Sequence, residues 1–170
     1  EIIAVVTQPD RPQSRGMKMT ASPVKECALK YNIPVYQPEK IKKDREFIEK
    51  YKEMNPELAV VVAFGQILPQ VILDIPKYGV YNIHASLLPK YRGASPIHYA
   101  ILNGEEETGV SIMKTELGLD CGDILLVEQT EISLIQRISS LSQPTSRVRV
   151  ISWMSGLSSL MTIKAMSSYM

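Results

Sequence analysis

The chain has 170 residues and a mass of 19.0 kDa, with 45% apolar residues, 22% charged residues and a formal net charge of +1. This composition excludes a disordered or collagen-like chain, and no apolar run reaches the roughly 18 residues that cross a bilayer. The two cysteines, Cys27 and Cys121, are too few for a disulfide scaffold and leave a reducing compartment as the default.

The chain opens on Glu1 and runs at once into residues 2–6, an apolar and mostly β-branched run of strand length. A buried strand with nothing ahead of it reads as the continuation of a longer fold. Residues 8–20 are polar, with two prolines, a glycine and several Lys/Arg, and read as a loop. Ser22-Pro23 marks a helix start, since serine caps and proline at the first position loses no hydrogen bond. Val24, Cys27, Ala28 and Tyr31 follow at helical spacing. After a short extended piece at 33–36, Asp44 caps a second helix carrying Phe47, Ile48, Tyr51 and Met54 on one face.

Residues 58–63 are apolar throughout, the pattern of a strand buried on both faces of a parallel sheet. Residues 80–84 form another strand with polar residues where apolar ones are expected, 96–102 a short helix, and 110–113 and 124–127 further strands. The alternation predicts an α/β fold with a Rossmann-like, mostly parallel sheet and crossover connections.

In such sheets ligands bind at the carboxyl ends of the strands. Asn82 and His84 are two apart, so a strand points both side chains to one face. Downstream, Asp120 and Asp123 flank a glycine just before a strand. Taken singly, a histidine at a strand end is more often a bonded core residue than a catalyst, an aspartate before a glycine is a turn residue, and Leu87-Leu88 is packing.

Their order along the chain is more specific. Asn82-x-His84-x-Ser86-Leu87-Leu88-Pro89, then Tyr91-Arg92-Gly93-Ala94, Thr108-Gly109-Val110 and Leu119-Asp120-x-Gly122-Asp123 resembles the folate-dependent formyltransferases. The resemblance extends from Ile2 to about Ile132. Residues 7–12 with Arg15-Gly16 and 22–25, residues 61–69, and residues 92–97 resemble the branch of that family that formylates methionyl-tRNA. Membership would imply transfer of a formyl group from 10-formyltetrahydrofolate to the α-amine of methionyl-initiator-tRNA. The alternatives are another folate-dependent formyltransferase, a 10-formyltetrahydrofolate hydrolase, or a folate-binding module without turnover.

The resemblance implies that Asn82, His84 and Asp120 are catalytic. An amide and an imidazole suit the oxyanion of a tetrahedral intermediate, and a carboxylate beside a histidine suits proton transfer. It implies a folate pocket walled by Phe64, Gly65, Gln66, Ile67, Leu68, Ser86, Leu87, Leu88 and Pro89. It implies tRNA contacts at Arg11, Arg15, Lys18 and Lys25, where basic groups on a loop meet phosphates. Cys121 stands where the family usually has threonine. No Gly-x-x-x-x-Gly-Lys or Gly-x-Gly-x-x-Gly motif supports ATP or nicotinamide use, and two histidines 14 residues apart make a metal site an unfavoured reading.

Charge divides the chain near residue 134. Residues 1–133 carry 15 Lys/Arg against 18 Asp/Glu, whereas 134–170 carry four basic residues, no acid, ten serines and four of the eight methionines. The expected organisation is therefore a catalytic core over 1–133, lacking the family's first strand and helix, and an atypical basic tail over 134–170. The tail reads as a shifted reading frame, or else as a divergent extension with a helix around 153–166. A core without its first strand loses central packing, so weak or no turnover is expected of it. The implied substrate and the lack of a signal peptide point to the cytoplasm, with an organelle matrix as second choice.

Overall fold

The structure is a computed structural model. It describes residues 1–13, 18–132 and 159–163, with the backbone alone at Gln13, Lys18 and 159–163. The elements in chain order are β1 (Ile2–Thr7), β2 (Arg11–Gln13), β3 (Lys18–Thr20), α1 (Pro23–Lys30), β4 (Val35–Tyr36), α2 (Arg45–Met54), β5 (Leu58–Val62), α3 (Gln70–Leu73), β6 (Val80–His84), α4 (Pro96–Leu102), β7 (Glu107–Lys114), β8 (Ile124–Glu131) and β9 (Ser159–Ile163).

The helix starts follow from their caps. Ser22 Oγ accepts from the Lys25 backbone N–H at 3.1 Å, with Pro23 as first helical residue. Asp44 Oδ1 accepts from the Phe47 N–H at 2.9 Å, and α2 ends on Asn55, whose φ of 45° is left-handed. Residues 8–20, read from sequence as a loop, hold the small β2–β3 hairpin, with Arg11 opposite Thr20.

Seven strands form one sheet in the order β4-β1-β9-β5-β6-β7-β8. β1 is parallel to β4, and β5 to β6; β9 runs antiparallel to both β1 and β5, so those two point the same way. Ser159–Ile163 lies within the stretch where a tail helix was the second expectation, and there the backbone is an extended, central strand. The rest of the tail, 133–158 and 164–170, lies outside the described residues.

One expectation needs correction. Strands 110–113 and 124–127 do not join through parallel crossovers. β7 pairs antiparallel with β6 and with β8; for β8 the reason is that the connection over 115–123 is shorter than the dozen or so residues that a crossover requires. Two reversals bring β8 back to the direction of β6, so five of the seven strands still run one way.

Helices cover both faces, as strand alternation demands. Val5 packs with Val24 and Ala28 of α1 on one side. Its neighbour Val6 points to the other side, into a cluster with Phe47, Ile48 and Tyr51 of α2, Ile72 and Leu73 of α3, and Val61 and Phe64. Val62 packs with Ile97 of α4 and with Ile83 and Val110. Both neighbours of β6 are thus in place, and its carboxyl end opens where β5 and β7 flank it. Among the described residues, no helix is long and apolar enough to cross a membrane.

Candidate active site

β6 carries Asn82 opposite Val61 of β5 and Met113 of β7, and His84 opposite Ser111 of β7. The connection after β7 brings Asp120 back across the end of β6. Asn82 Nδ2 donates to Asp120 Oδ1 at 3.1 Å. Asp120 Oδ2 lies 3.6 Å from His84 Nδ1 and accepts the backbone N–H of Gly93 at 2.8 Å. The His84 and Asp120 side chains are only 7% and 13% exposed. The three residues singled out in the sequence therefore meet, with the carboxylate at the centre of three groups.

The loop after β6 folds back to complete this arrangement. His84 Nε2 lies 2.8 Å from the Tyr91 carbonyl oxygen. A carbonyl only accepts, so Nε2 carries a proton and Nδ1 faces Asp120. The loop is pinned from beneath: Ser86 Oγ donates to the Lys90 carbonyl at 2.7 Å, Ser111 Oγ donates to the Ser86 carbonyl at 2.7 Å, and the Leu88 N–H donates to Ser111 Oγ at 3.1 Å. Both serines are fully buried, so each hydroxyl replaces water for a backbone group that would otherwise lack a partner.

Left-handed backbone gathers here. Tyr91 (φ 57°), Gly93 (87°), Ser95 (60°) and Asp120 (47°) all lie on the two loops that meet at His84. For a residue with a β-carbon this conformation costs about 1–2 kcal/mol, and such strain concentrates at sites whose geometry the surroundings impose. One restraint is visible at Tyr91, whose hydroxyl donates to Glu105 Oε1 at 2.7 Å, while Lys90 Nζ donates to the same carboxylate at 3.0 and 3.2 Å. The Tyr91 hydroxyl, then Lys90, holds the Glu105 carboxyl below its ordinary range; Glu105 in turn raises Lys90.

Two glycines of the sequence motifs are required by close packing. A β-carbon on Gly109 would lie 2.5 Å from Leu87 Cδ2 and would collide with the Glu128 carbonyl oxygen across the β7–β8 ladder. One on Gly122 would collide with the carbonyl of Lys114, whose own N–H donates to the Asp123 carbonyl at 2.9 Å and closes the Asp120 loop. Thr-Gly-Val thus marks a close approach of β7 to Leu87 and to β8, and Leu-Asp-x-Gly-Asp one that sets the position of the Asp120 loop.

The other expected residues divide. Phe64, Leu68 and Ser86 are buried. Gln66 is used internally: Nε2 donates to the Pro38 carbonyl at 3.2 Å and Oε1 accepts the Ile41 N–H at 2.9 Å. Leu87 rests on Gly109 and Leu88 is half-buried. Ile67, 81% exposed, is an apolar side chain presented outward, with Gly65 and Pro89 also exposed. Of the basic set, Arg11 is exposed on β2. Arg15 lies outside the described residues, as does the side chain of Lys18. Lys25 is 22% exposed and paired with Asp10 at 2.6 Å. Open clefts of about 550 and 700 Å³ lie elsewhere, at 70–80 with 114–117 and at 36–38 with 44–53.

Sequence reasoning passed over Gly93, Tyr91 and Ser111 as parts of the site. Tyr91 and Gly93 act through backbone atoms, which residue type does not reveal. The available signal was the glycine two residues after a tyrosine in a fixed motif.

Residues 1–154 match the model of the formyl transferase family. The chain is 60% identical over 132 residues to a methionyl-tRNA formyltransferase of Clostridium botulinum, covering 78% of this chain and 43% of the relative. It is 59% identical over 140 residues to the protein of that name from Clostridioides difficile, covering 82% and 44%. It thus spans less than half the length of these curated relatives. Among solved structures, a phosphoribosylglycinamide formyltransferase from Bacillus halodurans superposes with a TM-score of 0.63 at 21% identity, over 87% of this chain and 70% of that one. A formyltetrahydrofolate deformylase from Pseudomonas syringae does so with a TM-score of 0.60 at 26% identity, over 70% and 42%.

Proposed function

We propose that this chain, which belongs to the formyl transferase family, carries the catalytic site of an enzyme that moves the formyl group of 10-formyltetrahydrofolate to the α-amino group of methionyl-initiator-tRNA. The observation that carries this reading is the convergence of Asn82, His84 and Asp120 within 3.1 and 3.6 Å at the end of β6. The names of the relatives from Clostridium botulinum and Clostridioides difficile support the tRNA acceptor.

In the proposed reaction the neutral amine attacks the formyl carbon, and the formyl oxygen takes the negative charge. Asn82 has a second amide hydrogen besides the one given to Asp120, and it suits that oxygen; the His84 Nε2 hydrogen, held by the Tyr91 carbonyl, suits it once that bond is exchanged. The carbon–nitrogen bond to the folate then breaks, and the proton lost by the attacking nitrogen is gained by the leaving one. Asp120, a partly exposed acceptor beside His84, is the group suited to relay it. The flat pterin suits a wall of exposed apolar groups and free backbone, for which Ile67, Gly65 and Leu119, next to Asp120 and 65% exposed, are the candidates. Arg11, Arg15 and Lys18 are the candidates for tRNA phosphates. The acceptor would place the chain in the cytoplasm.

The test is single-turnover transfer with excess protein, 10-formyltetrahydrofolate and charged initiator tRNA. Asn82→Ala, His84→Ala and Asp120→Ala should each slow transfer by about a hundredfold or more. Three unchanged rates would remove the site assignment, and release of formate in place of formyl-methionyl-tRNA would move the reading to a hydrolase.

A further inference from the structure

Lys25 sits on the first turn of α1, and its charge is used inside the molecule. Nζ donates to Asp10 Oδ2 at 2.6 Å and to Gln37 Oε1 at 2.8 Å. Gln37 Nε2 donates to Asp10 Oδ1 and to the Gln8 carbonyl, each at 2.8 Å. Lys25, Asp10 and Gln37 therefore form a closed ring of three contacts. The first of them, Lys25, also holds the Asp10 carboxyl below its ordinary range.

The ring leads to one place. Gln8, which follows β1, donates from Nε2 to the Phe64 carbonyl at 2.6 Å. Gln66 anchors the other side of the same turn to Pro38 and Ile41, which follow β4. β1 and β5 are not neighbours: β9 lies between them, and Ser159 is the last residue paired with both, opposite Thr7 and Val62. Gln8 and the turn at 63–66 lie beyond those last pairs, where no ladder reaches among the described residues. Side-chain amides carry the link past the ladder. The turn needs it: Ala63 (φ 45°) and Gly65 (75°) are both left-handed, and an alanine there is strained without outside restraint.

We propose that Lys25 is a positioning residue that holds the turn at Phe64, Gly65 and Gln66 through Asp10, Gln37 and Gln8, and is not a phosphate contact. The proposal rests on the formyl-transfer reading only in taking that turn as the wall of the folate site. It also makes the base of the β2–β3 hairpin, which springs from Asp10, part of the donor pocket's framework.

The test uses Lys25→Met, Lys25→Arg and Gln8→Ala in the full chain, with Arg11→Ala as a phosphate-type comparison. The Ile41 amide, bonded to Gln66 Oε1, reports on the turn; the Thr115 amide, bonded to the Val80 carbonyl at 2.8 Å, is the control. In Lys25→Met and Gln8→Ala, hydrogen exchange at Ile41 should rise about tenfold with Thr115 unchanged. KM for 10-formyltetrahydrofolate should rise by a similar factor of about ten, and the salt dependence of tRNA binding should keep its slope. Lys25→Arg should restore the parent values, while Arg11→Ala should lower the slope by about one. A Lys25→Met variant that lowers that slope and leaves Ile41 exchange unchanged overturns the proposal. If the parent chain binds neither 10-formyltetrahydrofolate nor the tRNA, the formyl-transfer reading fails, and the Ile41 exchange rates alone decide for or against the brace.

Discussion

Asn82 and Asp120 stand 38 residues apart in the chain, and the amide of one donates to the carboxylate of the other at 3.1 Å. The contact closes the end of β6 over the β7–β8 connection. It also means that Asp120 accepts from Asn82 and Gly93 at once, with His84 Nδ1 at 3.6 Å. Replacing it by asparagine keeps the shape, removes the charge and leaves one oxygen to accept from either Asn82 or Gly93. Asp120→Asn should slow formyl transfer by about 10²- to 10⁴-fold, the usual worth of a positioned acid or base. Thermal unfolding monitored in parallel should show no more than the cost of one lost acceptor, about 1–3 kcal/mol, and a collapse of stability beyond that would show the loss of transfer to be structural.

Gly109 should tolerate no side chain. A β-carbon there meets Leu87 Cδ2 and the Glu128 carbonyl, and neither can retreat without moving the active-site loop or the ladder. Gly109→Ala should cost about 1–3 kcal/mol, the range for an overpacked interior, measured as a lower urea midpoint at unchanged slope.

Much of this arrangement was legible in the sequence, for reasons that can be stated residue by residue. The helix starts at Ser22 and Asp44 were readable because capping is local chemistry. Strand periodicity puts Asn82 and His84 on one face, but it was the resemblance to the formyltransferases that singled them out together with Asp120. The β7–β8 hairpin was misread because strand-sized apolar runs do not declare their direction; the short 115–123 connection was the signal. Gln8, Gln37 and Gln66 were not legible as a brace, since a glutamine's partners are distant backbone carbonyls and amides fixed only by the sheet. The tail strand β9 was not legible either, because its place between β1 and β5 is a matter of topology.

Acid should loosen the loop that holds His84. Glu105 accepts from the Tyr91 hydroxyl and from Lys90, and the Tyr91 hydroxyl, then Lys90, lowers its carboxyl below the ordinary 4.5. A depressed carboxyl adds stability that is fully present above the unfolded value and is lost as pH falls through the lower, folded one. Unfolding midpoints followed downward from pH 5 should therefore fall less steeply in Glu105→Gln than in the parent. Parallel curves for the two proteins would show that Glu105 adds no pH-dependent stability.

Ser111 joins the two halves of the pin beneath the loop, giving its hydrogen to the Ser86 carbonyl and accepting the Leu88 N–H. It is fully buried, so Ser111→Ala leaves two backbone groups without partners, at about 1–3 kcal/mol. The loss should reach the chemistry, because the same loop carries the Tyr91 carbonyl that holds His84 Nε2. Ser111→Thr keeps the hydroxyl on a side chain suited to a strand, and it should recover most of both stability and transfer rate. Urea unfolding and single-turnover transfer on the same three proteins give the answer: a threonine variant as impaired as the alanine variant would mean that the volume at this position matters and the hydroxyl does not.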